Sequence, residues 1–210
     1  MINIIITDDH SLIREGLKKL IEQRMGMQVT AECKTASELY DSLKQVDCQV
    51  LVLDINLPDK NGLELLKDLK ITFPMLKILI LSIHSEKMFA VRALKSGAAG
   101  YLTKSAASIE LIRAIERISK GGRYVSESLA ELLANNLGSP ASEISHEKLS
   151  DREFQVLLHI GSGKTPQEIT KKLSVSLSTI NTYRQRILQK MDMKSNLELV
   201  RYCLKENLVD

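Results

Sequence analysis

At 210 residues, the chain is long enough for one large domain or two small ones. An apolar fraction of 44% and a charged fraction of 26% are typical of a globular protein, and the longest apolar runs, such as VLVL and ILIL, are too short for a membrane span. The formal net charge of +3 lies wholly in residues 149–210, which hold ten Lys/Arg and seven Asp/Glu, whereas residues 1–148 hold equal numbers of both. A basic module behind a neutral one indicates a nucleic-acid partner.

The cysteines and the N-terminus indicate a cytoplasmic protein. Cys33, Cys48 and Cys203 show no metal-ligand spacing, so we expect three reduced, hydrophobic side chains. The first residues show neither a basic leader nor a small-residue cleavage site, which argues against secretion. We therefore expect a cytoplasmic location and no membrane partner.

Strand-like apolar runs alternate with segments of helical period through the first 120 residues. This alternation predicts an α/β doubly wound fold, with a five-stranded parallel sheet covered on both faces. The continuously apolar runs fit strands that are buried on both sides. The predicted strands are Ile2–Thr7, Val29–Cys33, Val50–Leu53, Ile78–Ser82 and Ala99–Leu102. The predicted helices are His10–Arg24, Ala36–Gln45, Leu63–Thr72, Lys87–Ser96 and Ile109–Lys120.

The pattern changes after Gly121-Gly122. A short helix is predicted near Ser128–Leu137, followed by GSPASEISHEK, which has the composition of a linker. From Leu149 onward only helical segments appear, so an all-α four-helix unit is expected. We predict a first domain over 1–122, a linker with a short helix over 123–148 and a second domain over 149–210. The four helices are Asp151–Gly161, Pro166–Leu173, Leu177–Met191 and Asn196–Glu206.

Two adjacent acids, Asp8 and Asp9, follow the first predicted strand. An Asp here can cap the next helix, because its side chain accepts hydrogen bonds from free backbone N–H groups, but one carboxylate is enough for that. Adjacent like charges repel each other, so a bound cation would explain the second carboxylate. This stretch alone leaves helix capping and a metal site both open.

The other strand ends favour the metal site. Ligands of open α/β sheets bind beyond the carboxyl ends of the strands. The third, fourth and fifth strands lead into Asp54, Ser82 and Lys104. Each could have a purely structural role, as a turn, a cap and a surface charge, but a chance convergence of all of them is improbable. Such a set supports phosphoryl transfer to a carboxylate, with Asp54 as the nucleophile.

The expected cation is Mg²⁺, which binds a few protein oxygens and keeps several waters. We expect direct ligation by Asp9, ligation by Asp8 directly or through a water, and further ligands from Asp54 and the Asn56 carbonyl. The cation would relieve repulsion among the acids and offset the charge of the incoming phosphoryl group. Lys104 would contact the phosphoryl oxygens as a cation, and Ser82 would donate a hydrogen bond.

Residues 1–120 resemble the receiver domain of two-component response regulators. The matching motifs are Asp8-Asp9-His10, DINLPDKNG from Asp54, ILSIH around Ser82, and Gly100-Tyr101-Leu102-Thr103-Lys104. The resemblance implies phosphorylation of Asp54 by a histidine kinase and a coupled switch in which Ser82 moves toward the phosphoryl group and Tyr101 rotates inward. Ser82 replaces the Thr of many receivers, and Ser105 replaces their more widespread Pro, a variant associated with the DNA-binding NarL/LuxR class.

Phosphatases of the haloacid dehalogenase type are an alternative, since they also place a nucleophilic Asp, a Ser/Thr, a Lys and an acidic pair at strand ends. They have the nucleophile early, the acidic pair last and a second Asp two residues after the nucleophile. Here the acidic pair comes first and Asn56 stands in place of that second Asp. We therefore expect no enzyme, but a phosphoacceptor that catalyses only its own phosphorylation and dephosphorylation.

The C-terminal helical segments fit a helix-turn-helix. Pro166 stands in the first turn of a predicted helix, where its missing N–H costs nothing. Only Ser174–Ser176 separate this helix from the next, which is the spacing of a helix-turn-helix, although any small helical bundle shows the same period.

Helix 177–191 has one apolar and one polar side. Ile180, Ile187, Leu188 and Met191 share the side expected in the core. The opposite side has no acid and carries amides, hydroxyls and cations, which suit base edges and phosphates. Arg184 is expected to pack its stem and extend its guanidinium. We predict that base edges are contacted by Asn181, Thr182 and Gln185, and phosphates mainly by Arg186 and Lys190.

Residues 149–205 resemble the LuxR-type helix-turn-helix, on Leu149-Ser150-Asp151-Arg152-Glu153 and Thr179-Ile180-Asn181-Thr182-Tyr183. The resemblance implies binding to double-stranded DNA, a homodimer when the protein is phosphorylated, a dimer contact through the last helix, Asn196–Glu206, and Lys194 near the DNA backbone. Asn181 and Tyr183 depart from the common Lys/Arg and His, so the base preference of relatives does not transfer. The alternative is a receiver whose helical tail binds a protein.

Overall fold

The computed structural model describes residues 1–83, 86–138, 145–206 and 208–209. The chain forms two compact units, Met1–Leu137 and Gly138–Asp210. The division falls inside the predicted linker 123–148, whose central residues 139–144 lie outside the described ones. The domain bounds 1–122 and 149–210 stay a prediction.

The first unit is built on a five-stranded parallel sheet with the order β2-β1-β3-β4-β5. In-register pairing runs from Ile4↔Val50 to Thr7↔Leu53 between β1 and β3, so the strands end at the same level. The strands are β1 (Ile2–Thr7), β2 (Met27–Cys33), β3 (Val50–Asp54), β4 (Lys77–Ser82) and β5 (Gly100–Thr103).

Helices cover both faces of this sheet, as a doubly wound fold requires. One core cluster joins Ile6 and Leu81 of the sheet to Leu17 and Leu111, which lie on α1 and α5. The alternate strand residues, among them Ile5, are equally buried beneath the remaining helices. The helices are α1 (Ser11–Glu22), α2 (Ala36–Gln45), α3 (Gly62–Thr72), α4 (Glu86–Lys95) and α5 (Ala107–Ser119). A further helix, α6 (Glu127–Gly138), follows them in the chain.

The described part of the second unit is helical. A short 3-10 turn, Ser145–Lys148, precedes α7, and this turn was not predicted. Ser150 and Thr165 begin α7 and α8 with reciprocal capping boxes, in which the cap hydroxyl and a Glu three residues later each accept a backbone N–H. The helices are α7 (Asp151–Gly161), α8 (Pro166–Leu173), α9 (Leu177–Lys190) and α10 (Asn196–Lys205).

The predicted fold class, a doubly wound five-stranded parallel sheet followed by a helical domain, is confirmed, and the ends of the described elements differ from the predicted ones by no more than two residues. Within the described residues, no helix combines the length and the apolar character needed to cross a membrane.

Candidate functional site

Neighbouring strand ends bring three carboxylates together at one edge of the sheet. Asp8 and Asp9 follow β1, and Asp54 ends β3 beside it. Asp8 and Asp54 are buried, with 1% of each side chain exposed, whereas Asp9 is 38% exposed. One potential ligand atom from each acid and from His10 lies within 4.8 Å of the others. The cluster is compatible with a divalent metal ion, because its hard carboxylate oxygens are close together and open to solvent through Asp9.

Lys104 connects the two buried acids. Its Nζ lies 2.7 Å from Asp8 Oδ2 and 2.8 Å from Asp54 Oδ2. The Lys104 backbone N–H donates to Ser82 O (2.7 Å), which continues the pairing of β5 with β4 and aims the side chain at the acids. Burial lowers the pKa of Lys104, but the two carboxylates together raise it above its ordinary value. The ammonium therefore stays charged and compensates the buried acids.

Asp54 occupies an environment suited to a reactive carboxylate. Its pKa is raised to about 6 in all, mainly by burial; the Lys104 ammonium lowers it and the Asp8 carboxylate adds to the rise. Asp54 Oδ1 accepts a hydrogen bond from the Asn56 N–H at 3.3 Å. This hydrogen bond holds the backbone of Asn56, including its carbonyl group, next to the Asp54 carboxylate.

No role was predicted from the sequence for two residues at the pocket. Arg14 of α1 is buried and donates from Nη1 to the Asp8 carbonyl oxygen at 2.6 Å, which fixes the β1–α1 turn. The His10 backbone N–H donates to Asp8 Oδ1 at 2.9 Å, and its Nδ1 lies 2.6 Å from Asp9 Oδ1. Arg14 shares the buried face of α1 with Leu17 and Ile21, at a spacing that marks an inward-facing position.

Ser82 and Tyr101, the predicted switch pair, are fully buried. Tyr101 pairs in register with Ile80 of β4. Side chains two residues apart on a strand point to the same face, so Ser82 shares that face with Ile80 and hence with Tyr101. Both residues lie on the strands that border the acidic pocket.

In the second unit, α9 presents the polar side predicted from the sequence. Ile180, Ile187 and Met191 are buried, and Leu188 is half-buried. The exposed predicted contacts are Asn181, Thr182, Gln185, Arg186 and Lys190, with Lys194 exposed beyond the helix end. The Thr182 hydroxyl donates to Ser178 O at 3.0 Å, a bond within the helix.

Two of the predicted DNA contacts have side-chain partners on other helices of the unit. Lys190 Nζ lies 2.6 Å from Glu153 Oε2, and Glu153 is a buried residue of α7. The pair joins α7 to the end of α9. Arg184 is half-buried, and its Nε donates to Asn196 Oδ1 of α10. Neither contact was foreseen, because the partners are far apart in sequence.

A doubly wound sheet with an acidic cluster and a lysine at its carboxyl edge defines a receiver, and the second unit is a helix-turn-helix module. The family model described as "Response regulator receiver domain" matches residues 4–116, and "Bacterial regulatory proteins, luxR family" matches residues 147–203. The chain belongs to the response regulator family and carries a LuxR-type DNA-binding domain. It is a regulator and not a phosphatase.

Relatives match the whole chain. Response regulator GacA of Pseudomonas protegens is 33% identical over 210 residues, which cover 100% of this chain and 99% of GacA. RcsB from Salmonella enterica serovar Typhimurium, bound to promoter rprA in the presence of the phosphomimetic BeF3−, is 27% identical over 96% of this chain and 98% of RcsB, with a TM-score of 0.67. A structure of two RcsB dimers bound to two parallel DNAs is 28% identical over 98% of each chain, with a TM-score of 0.62.

Proposed function

We propose that the chain is a DNA-binding transcriptional regulator controlled by phosphorylation of Asp54. The observation that carries the proposal is the Lys104 ammonium, which lies within 2.8 Å of both buried acids and so places a fixed positive charge where a phosphoryl group would attach. A histidine kinase would be the donor. An Asp54 oxygen attacks phosphorus, the P–N bond to the donor imidazole breaks, and an acyl phosphate forms.

The pocket fits Mg²⁺ as the cofactor. Asp9, Asp8, Asp54 and the Asn56 carbonyl would hold it, and the ion would offset negative charge on the phosphoryl oxygens. The exposure of Asp9 supports its role as a ligand, since it leaves room for the waters that Mg²⁺ retains. Lys104 would hold a phosphoryl oxygen once Asp54 is modified.

Ser82 and Tyr101 would carry the signal away from the pocket. The hydroxyl would donate to the phosphoryl group, and Tyr101, on the same face of the sheet, would repack β5 against α4 and α5. This local change would favour a homodimer that binds DNA in the cytoplasm. Support comes from the RcsB structures, whose names describe dimers and promoter complexes.

On DNA, the exposed side of α9 would read the sequence. Asn181, Thr182 and Gln185 would face base edges, and Arg186 and Lys194 would contact phosphates. Arg184 and Lys190 stay candidate contacts, with the difference that each also binds a partner within its own unit.

A binding titration of the full chain tests the proposal. Duplexes selected from genomic DNA are titrated with and without a small phosphodonor and Mg²⁺. Phosphorylation is expected to tighten specific binding by about 5- to 150-fold, the usual range of allosteric coupling. Asp54→Asn is expected to take up no hydroxylamine-sensitive label and to show no tightening. Asp41→Asn, which changes an exposed acid that contacts Lys44, is the matched control.

The protein-binding alternative predicts a different result. The phosphorylated chain would then bind duplex DNA neither specifically nor with a steep salt dependence. Label uptake by Asp54→Asn at the wild-type rate would separately remove Asp54 from its role.

A further inference from the structure

The loop that follows the phosphoacceptor closes back on the end of the strand that precedes it. The Gly62 N–H donates to Ile55 O at 2.8 Å, and Asn56 forms a bridge with Asn61. A Cβ atom at Gly62 would lie 2.4 Å from the Asp54 carbonyl oxygen, so the loop returns directly onto the end of β3. Any displacement of loop 55–61 would therefore move Asn56 relative to Asp54.

Asp59 extends from this loop to a different element. One carboxylate oxygen accepts the Ala36 N–H at 2.9 Å and the other accepts the Ser37 N–H at 3.0 Å. These donors are the first two residues of α2, whose N–H groups have no partner within the helix. Thr35 caps the same end by accepting the Glu38 N–H at 3.1 Å. The free N–H groups at the start of α2 are therefore bound partly by its own cap residue and partly by the phosphoacceptor loop.

The contact is favourable in charge as well as in geometry. A carboxylate at a helix N-terminus is stabilised by the partial positive charge of the aligned peptide dipoles. The next loop residue, Lys60, forms an ion pair with Asp68 of α3 and places its Nζ 6.0 Å from the centre of the Tyr40 ring of α2. Two consecutive side chains thus hold the loop between α2 and α3.

We propose that Asp59 is a positioning residue of the phosphoacceptor site. It fastens loop 55–61 to the N-terminus of α2 and thereby holds the Asn56 carbonyl where the metal ion needs it. The inference rests on the proposed function, because Asn56 is a metal ligand only there. A mere helix cap would stabilise α2 and leave the metal affinity of the folded protein unchanged, so the two roles have different signatures.

Mg²⁺ titration calorimetry on the full chain distinguishes them. Asp59→Ala is expected to weaken Mg²⁺ binding by about tenfold, the lower end of the effect of outer-sphere partners of metal ligands. Asp59→Asn keeps an acceptor oxygen but loses the charge, so its affinity should lie between the two. Asp41→Ala removes an exposed carboxylate of α2, the helix that Asp59 contacts, and should bind Mg²⁺ like the wild type.

Hydrogen exchange of the Ala36 and Ser37 amides supplies the second readout. Both should exchange faster in Asp59→Ala than in the wild type or in Asp41→Ala. If Asp59→Ala exchanges these amides faster but binds Mg²⁺ as tightly as Asp41→Ala does, the inference is overturned and Asp59 is only a helix cap. If the proposed function itself is wrong, the result is different, because the wild-type chain would then neither bind Mg²⁺ nor accept phosphate.

Discussion

The acidic pocket and the exposed side of α9 differ in how their polar side chains are held. In the pocket, Lys104 contacts both Asp8 and Asp54, so each charge is positioned by the others. On α9, Asn181 and Gln185 are exposed and lie one turn apart. The polar groups of the pocket are therefore positioned by contacts within the fold, whereas Asn181 and Gln185 on the helix are exposed to a potential partner. Substitutions in the pocket should disturb neighbouring groups, and those on the helix should act locally.

The largest effect is expected from Asp9→Ala. Loss of a direct carboxylate ligand should raise the Mg²⁺ concentration needed for phosphorylation by at least about tenfold, more than the loss of an outer-sphere partner. Glu15→Ala, which removes an exposed acid of α1, is the control. Initial rates of label uptake across a Mg²⁺ series measure the effect. An unchanged Mg²⁺ dependence would show that Asp9 is not a ligand.

Ser82→Ala should separate phosphorylation from response. The nucleophile and the acidic cluster are intact, so label uptake continues, but the link to Tyr101 is lost. We expect the phosphorylation-dependent gain in DNA affinity to shrink by most of the 1–3 kcal/mol that such couplings typically contribute. Ser82→Thr keeps the hydroxyl and should respond normally. Equal responses of Ser82→Ala and the wild type would exclude the coupling.

Asn181→Ala and Gln185→Ala should each cost about 1–3 kcal/mol on the cognate duplex and much less on a scrambled one. The reason is that a lost base-edge hydrogen bond affects only the sequence that provided it. Gln23→Ala, which removes an exposed amide of the first unit, is the control. If the ratio of cognate to scrambled affinity is preserved in both variants, α9 is not the reading helix.

Lys190 and Lys194 are both exposed, but Lys190 also forms an ion pair with the buried Glu153. Lys194→Ala should weaken binding to all sequences alike, lower the salt slope by roughly one and leave stability unchanged. Lys190→Ala should lower the slope too. It should also reduce the free energy of unfolding by about 1–2 kcal/mol, because the buried Glu153 carboxylate loses a partner. Thermal unfolding decides, and equal stability of the two variants would contradict the role of the ion pair.

The smallest effect is a dependence of stability on pH. Burial raises the pKa of Glu153, but the Lys190 ammonium and the Ser150 N–H lower it by more, so that it lies below its ordinary value of 4.5. A lowered folded-state pKa contributes stability that is present above the unfolded-state pKa and lost as the pH falls through the folded-state one. The free energy of unfolding of the second unit, measured with urea on the full chain, should fall below about pH 4.5. The part of this fall that comes from Glu153 should be absent in Glu153→Gln.

The same contrast explains how much the sequence revealed. Strand ends are visible as apolar runs that stop at polar residues, and parallel strands end at one edge, so Asp8, Asp54 and Lys104 could be placed together. Helical period placed Ile180 and Ile187 in the core of the second unit. These features depend on short-range patterns, which a single sequence contains.

Contacts between distant segments were not predictable in this way. Asp59 bonds the start of α2, 22 and 23 residues away, and Lys190 meets Glu153 across 37 residues. No local pattern marks either partner, because each pairing depends on where the fold places two separate elements. Arg14 is intermediate: its spacing with Leu17 marks an inward-facing position, although no prediction was made for it, and the Asp8 carbonyl as its partner is not visible in the sequence.

The residues after α5 also bear on where this chain can be cut. The Tyr124 N–H donates to Ala99 O at 2.8 Å, and Tyr124 forms a parallel β-bridge with Gly100. The Tyr124 hydroxyl donates to the Glu110 carboxylate at 2.7 Å. The segment thus shields the outer edge of β5, and uncovered strand edges recruit other chains. A receiver fragment that stops at residue 122 would expose that edge and tend to self-associate. One that extends to residue 137 would keep the edge covered.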